Sequence, residues 1–524
     1  MFIRVKGTAP YRYLQIVDNH REGKRVVQRV ICTLGRVDEL MASGQTDGLI
    51  RSLARFGDRV RVVEDYEKGH IEAREMWQIG PDLAFGHLWK SCGIAQVMSE
   101  LLKERNFGFP VERAIYMSVL NRLFEPGSDR ACDKWKRYLV IPGSEEIDLH
   151  HLYRAMRWLG DNHDKVEDGL FHIGRDLFSE FTLAFFDTTS IYFEGAGGES
   201  LGQRGYSKDH RPDLMQMVVG AVLNGEGRPV SCPMWSGNQA DVETLLPLVK
   251  EMKQRFNLKR VCWVADRGMA SRKIIEGIEE LDDMEYILGA RMRRQKEVRE
   301  DVLGRAGRYK EVADNLQVKD VRVEGRRYIV CYNPEEARKD AADREAIIKS
   351  LEDKLRESPG SLVGNQGYRR FLRVEKGAVV LDSKKIAADS RFDGKFVLRT
   401  NSDLPANEIA VQYKRLLMVE QFFRAAKSAL DTRPVFHQWD ATIKGHVFCS
   451  FLALVLMHGL KLRLKERGWE LEWNDIRRDL QSLAEVEVMQ GMQTYHLRTP
   501  MQGVAGKVLQ AAGAAMPPSV RLMA

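Results

Sequence analysis

Seven cysteines are spread through 524 residues, and no two have CxxC spacing. A zinc ribbon and a disulfide framework are both excluded, and a reducing cytosol is the natural setting. Long apolar runs are also missing. The longest, His446–Leu460, is broken by Ser450 and His458. It falls short of the roughly 20 residues that span a bilayer, and it reads as a buried helix. The N-terminal stretch MFIRVKGTAPYRY lacks the apolar core of a signal peptide. There is no internal repeat and no low-complexity segment. Charge of one sign is not in large excess: the net charge is +7, with an isoelectric point near 8.9. That mild surplus fits a polyanionic partner without demonstrating one. The expected protein has no membrane segment and is cytoplasmic.

The composition, 44% hydrophobic and 30% charged, suits sizeable cores. At about 100–200 residues per domain the length predicts three or four. YRYLQIV and RVVQRVICTL read as a β-hairpin in a small basic N-terminal module, residues 1–80, followed by a helix over about 38–56. Residues 81–180 repeat apolar positions at three and four and predict helices. From 181 to 291 strand-like runs alternate with helices, an α/β layer pattern. Residues 292–395 form a basic, β-rich insertion around a charged helix. The α/β pattern resumes at 396–460 with FVLRT and a long helix from about Ala406. A helical tail, basic at first, occupies 461–524.

Two aspartates share one context. Asp187 follows the apolar run LAFF, with Thr188, Thr189 and Ser190 after it, and Asp266 closes VCWVA. Either is explained alone by a turn or a helix cap. In open α/β sheets, however, functional groups gather beyond strand ends, and adjacent tips can place two carboxylates on one metal. The helix segment YKRLLMVEQFFRAAK puts Tyr413, Glu420 and Lys427 seven residues apart. In a continuous helix they line one face, which is either an ordinary solvated face or a stripe laid against the two aspartates. Three carboxylates suit hard divalent cations such as Mg²⁺, which keep waters and phosphates as further ligands. A pair of ions can clamp both oxygens of a phosphoryl displacement, with Arg424 and Lys427 beside the phosphates and Tyr413 placed to hydrogen-bond one.

FFDTTSIYFEG, GYSKDHRPDLMQMVVG, WVADRGMAS, FVLRTN and YKRLLMVEQFFRAAK together resemble the DDE transposases of bacterial insertion sequences. The branch is that of the IS-four superfamily with a β-rich insertion before the last glutamate, and the resemblance covers most of the chain. It implies a ribonuclease-H-like catalytic core interrupted by the insertion, with the N-terminal hairpin and helical region binding DNA. Asp187, Asp266 and Glu420 match the metal-binding triad. Two Mg²⁺ ions are implied, with Mn²⁺ able to substitute. Tyr413 and Lys427 match the flanking motif. The arginine usual three residues after the tyrosine is replaced by Leu416, with Arg415 one step away and turned about 100° around the helix. On this reading Asp187 ends its strand to hold metal over DNA, and TTS turns the chain. Implied partners are double-stranded DNA with terminal inverted repeats, target DNA and a second copy of the chain. The implied location is the bacterial nucleoid.

Tyr206, Lys208, His210 and Arg211 in GYSKDHRPD read as phosphate contacts, and Arg267 as a DNA contact or a carboxylate partner. Asp209 and Asp213 read as structural partners of nearby cations. Asn238 and Asp241 read as helix-cap residues, and His437 and His446 as core or capping residues. The insertion lacks tryptophan between Arg291 and Thr400, which leaves Tyr309 and Tyr328 among its stacking groups. The rival readings are a Mg²⁺-dependent nuclease with the same core and a DNA-binding protein without catalysis.

Overall fold

The computed structural model describes residues 1–22, 25–54, 66–173, 181–357, 370–375 and 378–523. The chain divides into two compact units. One comprises Met1–Trp77, Ala484–Pro500 and Pro517–Ala524; the other comprises Gln78–Leu483 and Met501–Met516.

The first unit opens with β1 (Phe2–Lys6), β2 (Tyr13–Glu22) and β3 (Arg25–Arg36), an antiparallel three-stranded sheet rather than a lone hairpin. The strands reach into the polar stretch DNHRE because β2 and β3 keep pairing through Asp18↔Arg29 and His20↔Val27. Two short helices, Val37–Ala42 and Gln45–Ala54, stand where one was expected. Next comes β4 (Ile71–Gln78).

The second unit carries the large sheet. Its strands are β5 (Leu183–Tyr192), β6 (Gln216–Asn224), β7 (Pro229–Ser231), β8 (Met234–Ser236), β9 (Val261–Ala265) and β10 (Met284–Gly289). They continue with β11 (Lys310–Ala313), β12 (Leu316–Val323), β13 (Arg326–Tyr332) and, later, β16 (Lys395–Thr400). The order is β11-β12-β13-β16-β10-β9-β5-β6-β7, with β8 also on β6. β5, β9 and β10 are mutually parallel; β6 and β16 run against them. The basic strands expected in the insertion thus extend the same sheet through β16. A 24-residue helix, Pro334–Glu357, and the small pair β14 (Leu372–Glu375) and β15 (Ala378–Leu381) complete that segment.

Helices spanning Gly80–Ile173 pack around the apolar helix Asp440–Glu466. This helix is apolar on all sides, as a core helix must be. Among the described residues it is the one helix long and apolar enough to cross a bilayer, and 67% of its apolar window is buried. It crosses the helix Leu149–Asp161 at glycines. A Cβ on Gly160 would meet the Ala441 carbonyl oxygen at 1.8 Å, and one on Gly445 the Met156 oxygen at 1.9 Å.

The tail expected to be helical holds the helices Trp473–Gln481 and Ala505–Ala512. It also holds three strands, β17 (Ala484–Gln490), β18 (Gln493–Arg498) and β19 (Val520–Met523). These form a sheet in the order β19-β18-β17-β4. Alternating Val486, Val488 and Tyr495, Leu497 favour strands over helix there.

Candidate active site

The expectation that Asp187 ends its strand is corrected. β5 runs on to Tyr192, and β6 pairs with it throughout, from Ala184↔Asn224 to Tyr192↔Gln216. Thr188, Thr189 and Ser190 are buried strand residues and do not turn the chain. Their turn preference yields to a long antiparallel partner, which suits β-branched threonines well. Asp266 does lie just past the end of β9.

The pleat sets the direction of both acids. Phe185, Cys262 and Val264 belong to the core that also contains Val419 and Phe423. Ala184, Phe186, Trp263 and Ala265 belong to the core on the opposite face. With a side-chain period of two, Asp187 and Asp266 turn toward the side of the helix Leu417–Arg424. Phe186 pairs with Ala265 in the parallel ladder, so the two aspartates follow side by side on strands about 4.8 Å apart.

Burial pushes the Asp187 carboxyl up to about 6, against relief from Lys208 and from the Thr188 N–H. Asp266 and Asp241 push the same way as burial. Thr188 N–H donates to Asp187 Oδ1 at 2.7 Å. Lys208 Nζ donates to the Thr188 carbonyl at 2.7 Å and to its hydroxyl at 2.9 Å. The same ammonium lies 3.0 Å from Asp241 and 3.9 Å from Asp187. Thr188 Oγ1 in turn donates to Asp241 Oδ1 at 2.8 Å. Asp241, expected as a cap, is therefore a member of the site. No spacing in GNQADVETL marks it; the buried Thr188 and Lys208 bring it in.

Tyr413 donates to Asp266 Oδ1 at 3.2 Å and stacks on Phe396. Burial and Asp266 both push its phenol upward. The expected single helix carrying Tyr413, Glu420 and Lys427 is broken. Ala406–Lys414 and Leu417–Arg424 are separate helices, and Ala425–Ala429 is a π-helical turn. At the break the bonds tighten to three residues: Met418 N–H to Arg415 O at 2.9 Å, and Val419 N–H to Leu416 O at 2.9 Å. The stripe at seven-residue spacing is thereby lost.

Glu420 is exposed, and among the described residues no cation pairs with it. Lys427 is turned to Asp209 at 2.8 Å, and Arg433 holds the same carboxylate. Arg415 is bound to the Gly225 carbonyl and to Gln412, with its guanidinium over the Phe185 ring at 5.6 Å. Gly225 follows Asn224, which pairs with Ala184. Arg415 thus braces the start of β5, not the acids. Arg211 pairs with Asp213 at 2.9 Å. Asp209 and Asp213 do partner neighbouring cations, as their place among basic residues suggests. Tyr206 is exposed, and His210 adopts a left-handed φ of 57° in this loop. Arg424 is exposed. The Arg267 carbonyl accepts from Arg291 Nε at 3.1 Å. His446 is a core residue, buried against Arg122 at 2.8 Å, and the half-buried His437 faces Asp129 at 3.5 Å.

Residues 179–456, more than half of the chain, match the transposase DDE domain. The chain belongs to the DDE transposases. Residues 3–67 of this transposase match the N-terminal domain of IS1634 family transposases. It is a metal-dependent DNA transposase. No curated protein matches the chain in sequence. Among solved structures it is similar to a piggyBac transposase in a synaptic complex with hairpin DNA. The identity there is 9% and the TM-score 0.38, over 77% of this chain and 79% of that one.

The donor set fits a divalent cation. Two aspartates share one face, a third acid, Asp241, lies beside Asp187, and the Lys208 ammonium lies within 4 Å of both Asp187 and Asp241. Carboxylate oxygens are the ligands that hard cations take.

Proposed function

We propose that Asp187, Asp266 and Glu420 hold two Mg²⁺ ions, with Mn²⁺ able to substitute, and that the transposase cuts insertion-sequence ends and joins them to target DNA. The observation that carries this reading is the Phe186↔Ala265 pair of the parallel β5–β9 ladder, which brings Asp187 and Asp266, the next residue of each chain segment, side by side toward the helix that bears Glu420. The strand order β6-β5-β9-β10, with β6 alone antiparallel, supports a ribonuclease-H-like core. When bound, the ions supply Lewis acidity to the phosphate and a nucleophile at neutral pH.

The remaining work falls to side chains. Tyr413 fixes one oxygen of Asp266 and leaves the other for a cation. Lys208, tethered through Thr188 and Asp241, sets a positive charge beside Asp187, where a phosphate oxygen approaches. Tyr206, His210, Arg211, Arg267 and Arg424 supply backbone contacts along the DNA. Lys427 and Arg415 act at one remove, the first through Asp209 and the second through the start of β5. Water attacks the phosphodiester at the element end, and the freed 3′-OH attacks target DNA. The N-terminal module, the helical region, the insertion and the tail bind the terminal inverted repeats. A homodimer holds both ends, and the setting is the bacterial cytoplasm and nucleoid.

Incubating the protein with Mg²⁺, a labelled end fragment and a target plasmid tests this. Joined product from wild type and none from Glu420→Ala supports it. Cleavage without joining would point to a nuclease.

A further inference from the structure

The first 36 residues contain eight Lys or Arg and two acids, a surplus of six against seven for the whole chain. The strands β1–β3 of this segment form a sheet, and its two faces differ. In the ladders Arg4 pairs with Gln15 and Gln15 with Thr33, while Asn19 pairs with Gln28. The bulges fall in β3, so β2 keeps its alternation and Gln15, Val17, Asn19 and Arg21 share a face, on which the apolar row Phe2–Val17–Val30, with Val17 buried, lies between the polar rows. Side-chain bonds place the rest there. Arg4 donates to Gln28 Oε1 at 2.6 Å and to Gln15 Oε1 at 3.4 Å, and Gln15 Nε2 donates to Thr33 at 3.1 Å. The opposite face carries the apolar rows Ile3–Ile16–Cys32 and Val5–Leu14 and, on the ribbon, both acids of the segment, Asp18 opposite Arg29 and Glu22 opposite Arg25. β1 ends its pairing at Val17, so the Asp18–Glu22 part of β2 runs on with β3 alone as a two-stranded ribbon.

We propose that this polar face, led by the Asn19–Gln28 ribbon, reads base edges in the major groove of the transposon end. The inference rests on the assignment of DNA ends as substrate and names the surface that recognises their sequence. A two-stranded ribbon fits a groove about 12 Å wide, and Arg, Asn and Gln are the side chains that bond guanine and adenine edges in pairs. The basic surplus supplies the attraction to phosphate. The bonds from Arg4 to Gln28 and Gln15 restrict these long side chains before DNA arrives.

Selection of duplexes from a random library by the full-length protein, without metal, tests this. Wild type should enrich a motif. Gln28→Ala, Asn19→Ala and Arg4→Lys should each lose about tenfold discrimination at one or two positions, while low-salt binding to bulk DNA changes less than about threefold. Should Gln28→Ala fail to fold, Asn19→Ala at the exposed ribbon still decides the matter. An unchanged motif in the folded variants, or no motif from wild type, would overturn the inference. The selection involves no chemistry. A shifted motif in a chain that joins no ends would therefore sink the catalytic reading alone, and normal joining with an unshifted motif would sink this one alone.

Discussion

The hydroxyl of Tyr413 donates to Oδ1 of Asp266 at 3.2 Å, across space that Gly289 leaves open. A Cβ at position 289 would stand 2.5 Å from that hydroxyl and 2.9 Å from the Arg267 nitrogen. Gly289→Ala should therefore move the phenol or the Asp266 loop. We expect at least a tenfold fall in strand transfer with a stability loss of about 1–3 kcal/mol. Tyr413→Phe removes the bond and keeps the packing. It should cost about 0.5–1.5 kcal/mol of activation free energy, and a metal titration should show the loss as weaker cation dependence. A Tyr413→Phe enzyme with wild-type metal dependence would contradict the role given to the phenol.

Asp187 sets a pH dependence whose sign follows from its environment. Burial holds its carboxyl up at about 6 against an ordinary 3.8. Between these values the native state keeps a proton that the unfolded chain has released. Stability therefore falls as pH rises through the window, by about 3 kcal/mol in full, and stays reduced above it. Asp187→Asn should be more stable than wild type at pH 7.5, by on the order of 1–3 kcal/mol, and inactive. Thermal melts at pH 7.5 and pH 4 measure the difference, which should shrink at the lower pH. Mn²⁺ binding to wild type should weaken about tenfold per pH unit below about 6.

Asp209 is the shared anion of Lys427 and Arg433, and its side chain is only 7% exposed. Removing it leaves two cations without their carboxylate. Asp209→Ala should cost about 3–5 kcal/mol. Lys427→Ala should cost less, because Arg433 still holds the acid. Urea denaturation orders the two variants, and the reverse order would show Lys427 to be the dominant partner.

The crossing of Leu149–Asp161 with Asp440–Glu466 depends on backbone contact at Gly160 and Gly445. Gly160→Ala should destabilise by more than about 3 kcal/mol, since the atoms a Cβ would meet, in Ala441 and Gly445, are backbone atoms that side-chain rotation cannot clear. An unaltered melting temperature would show that the helices can part without loss.

Much of the site was legible because it depends on short-range pattern. An apolar run that ends on an acid reveals Asp187 and Asp266, and the parallel ladder needed to join them follows from alternating strands and helices. What was not legible depends on long-range pairing. The reach of β5 past Asp187 is fixed by β6, about 30 residues later in the chain, and local turn preference gives no hint of it. Asp241 enters through Thr188 and Lys208, groups with no sequence relation to it. The break at Leu416 comes from tight bonds that helical spacing does not reveal. The tail strands β17–β19 need β4 as a partner, more than 400 residues earlier.

The most direct test of the metal assignment is strand transfer by Asp266→Cys in Mg²⁺ and in Mn²⁺. A thiolate is a poor ligand for Mg²⁺ and a better one for Mn²⁺. The account predicts a loss of about a hundredfold or more with Mg²⁺ and recovery of at least about tenfold when Mn²⁺ replaces it. Full activity with Mg²⁺, or an equal loss in both metals, would contradict a ligand role for Asp266.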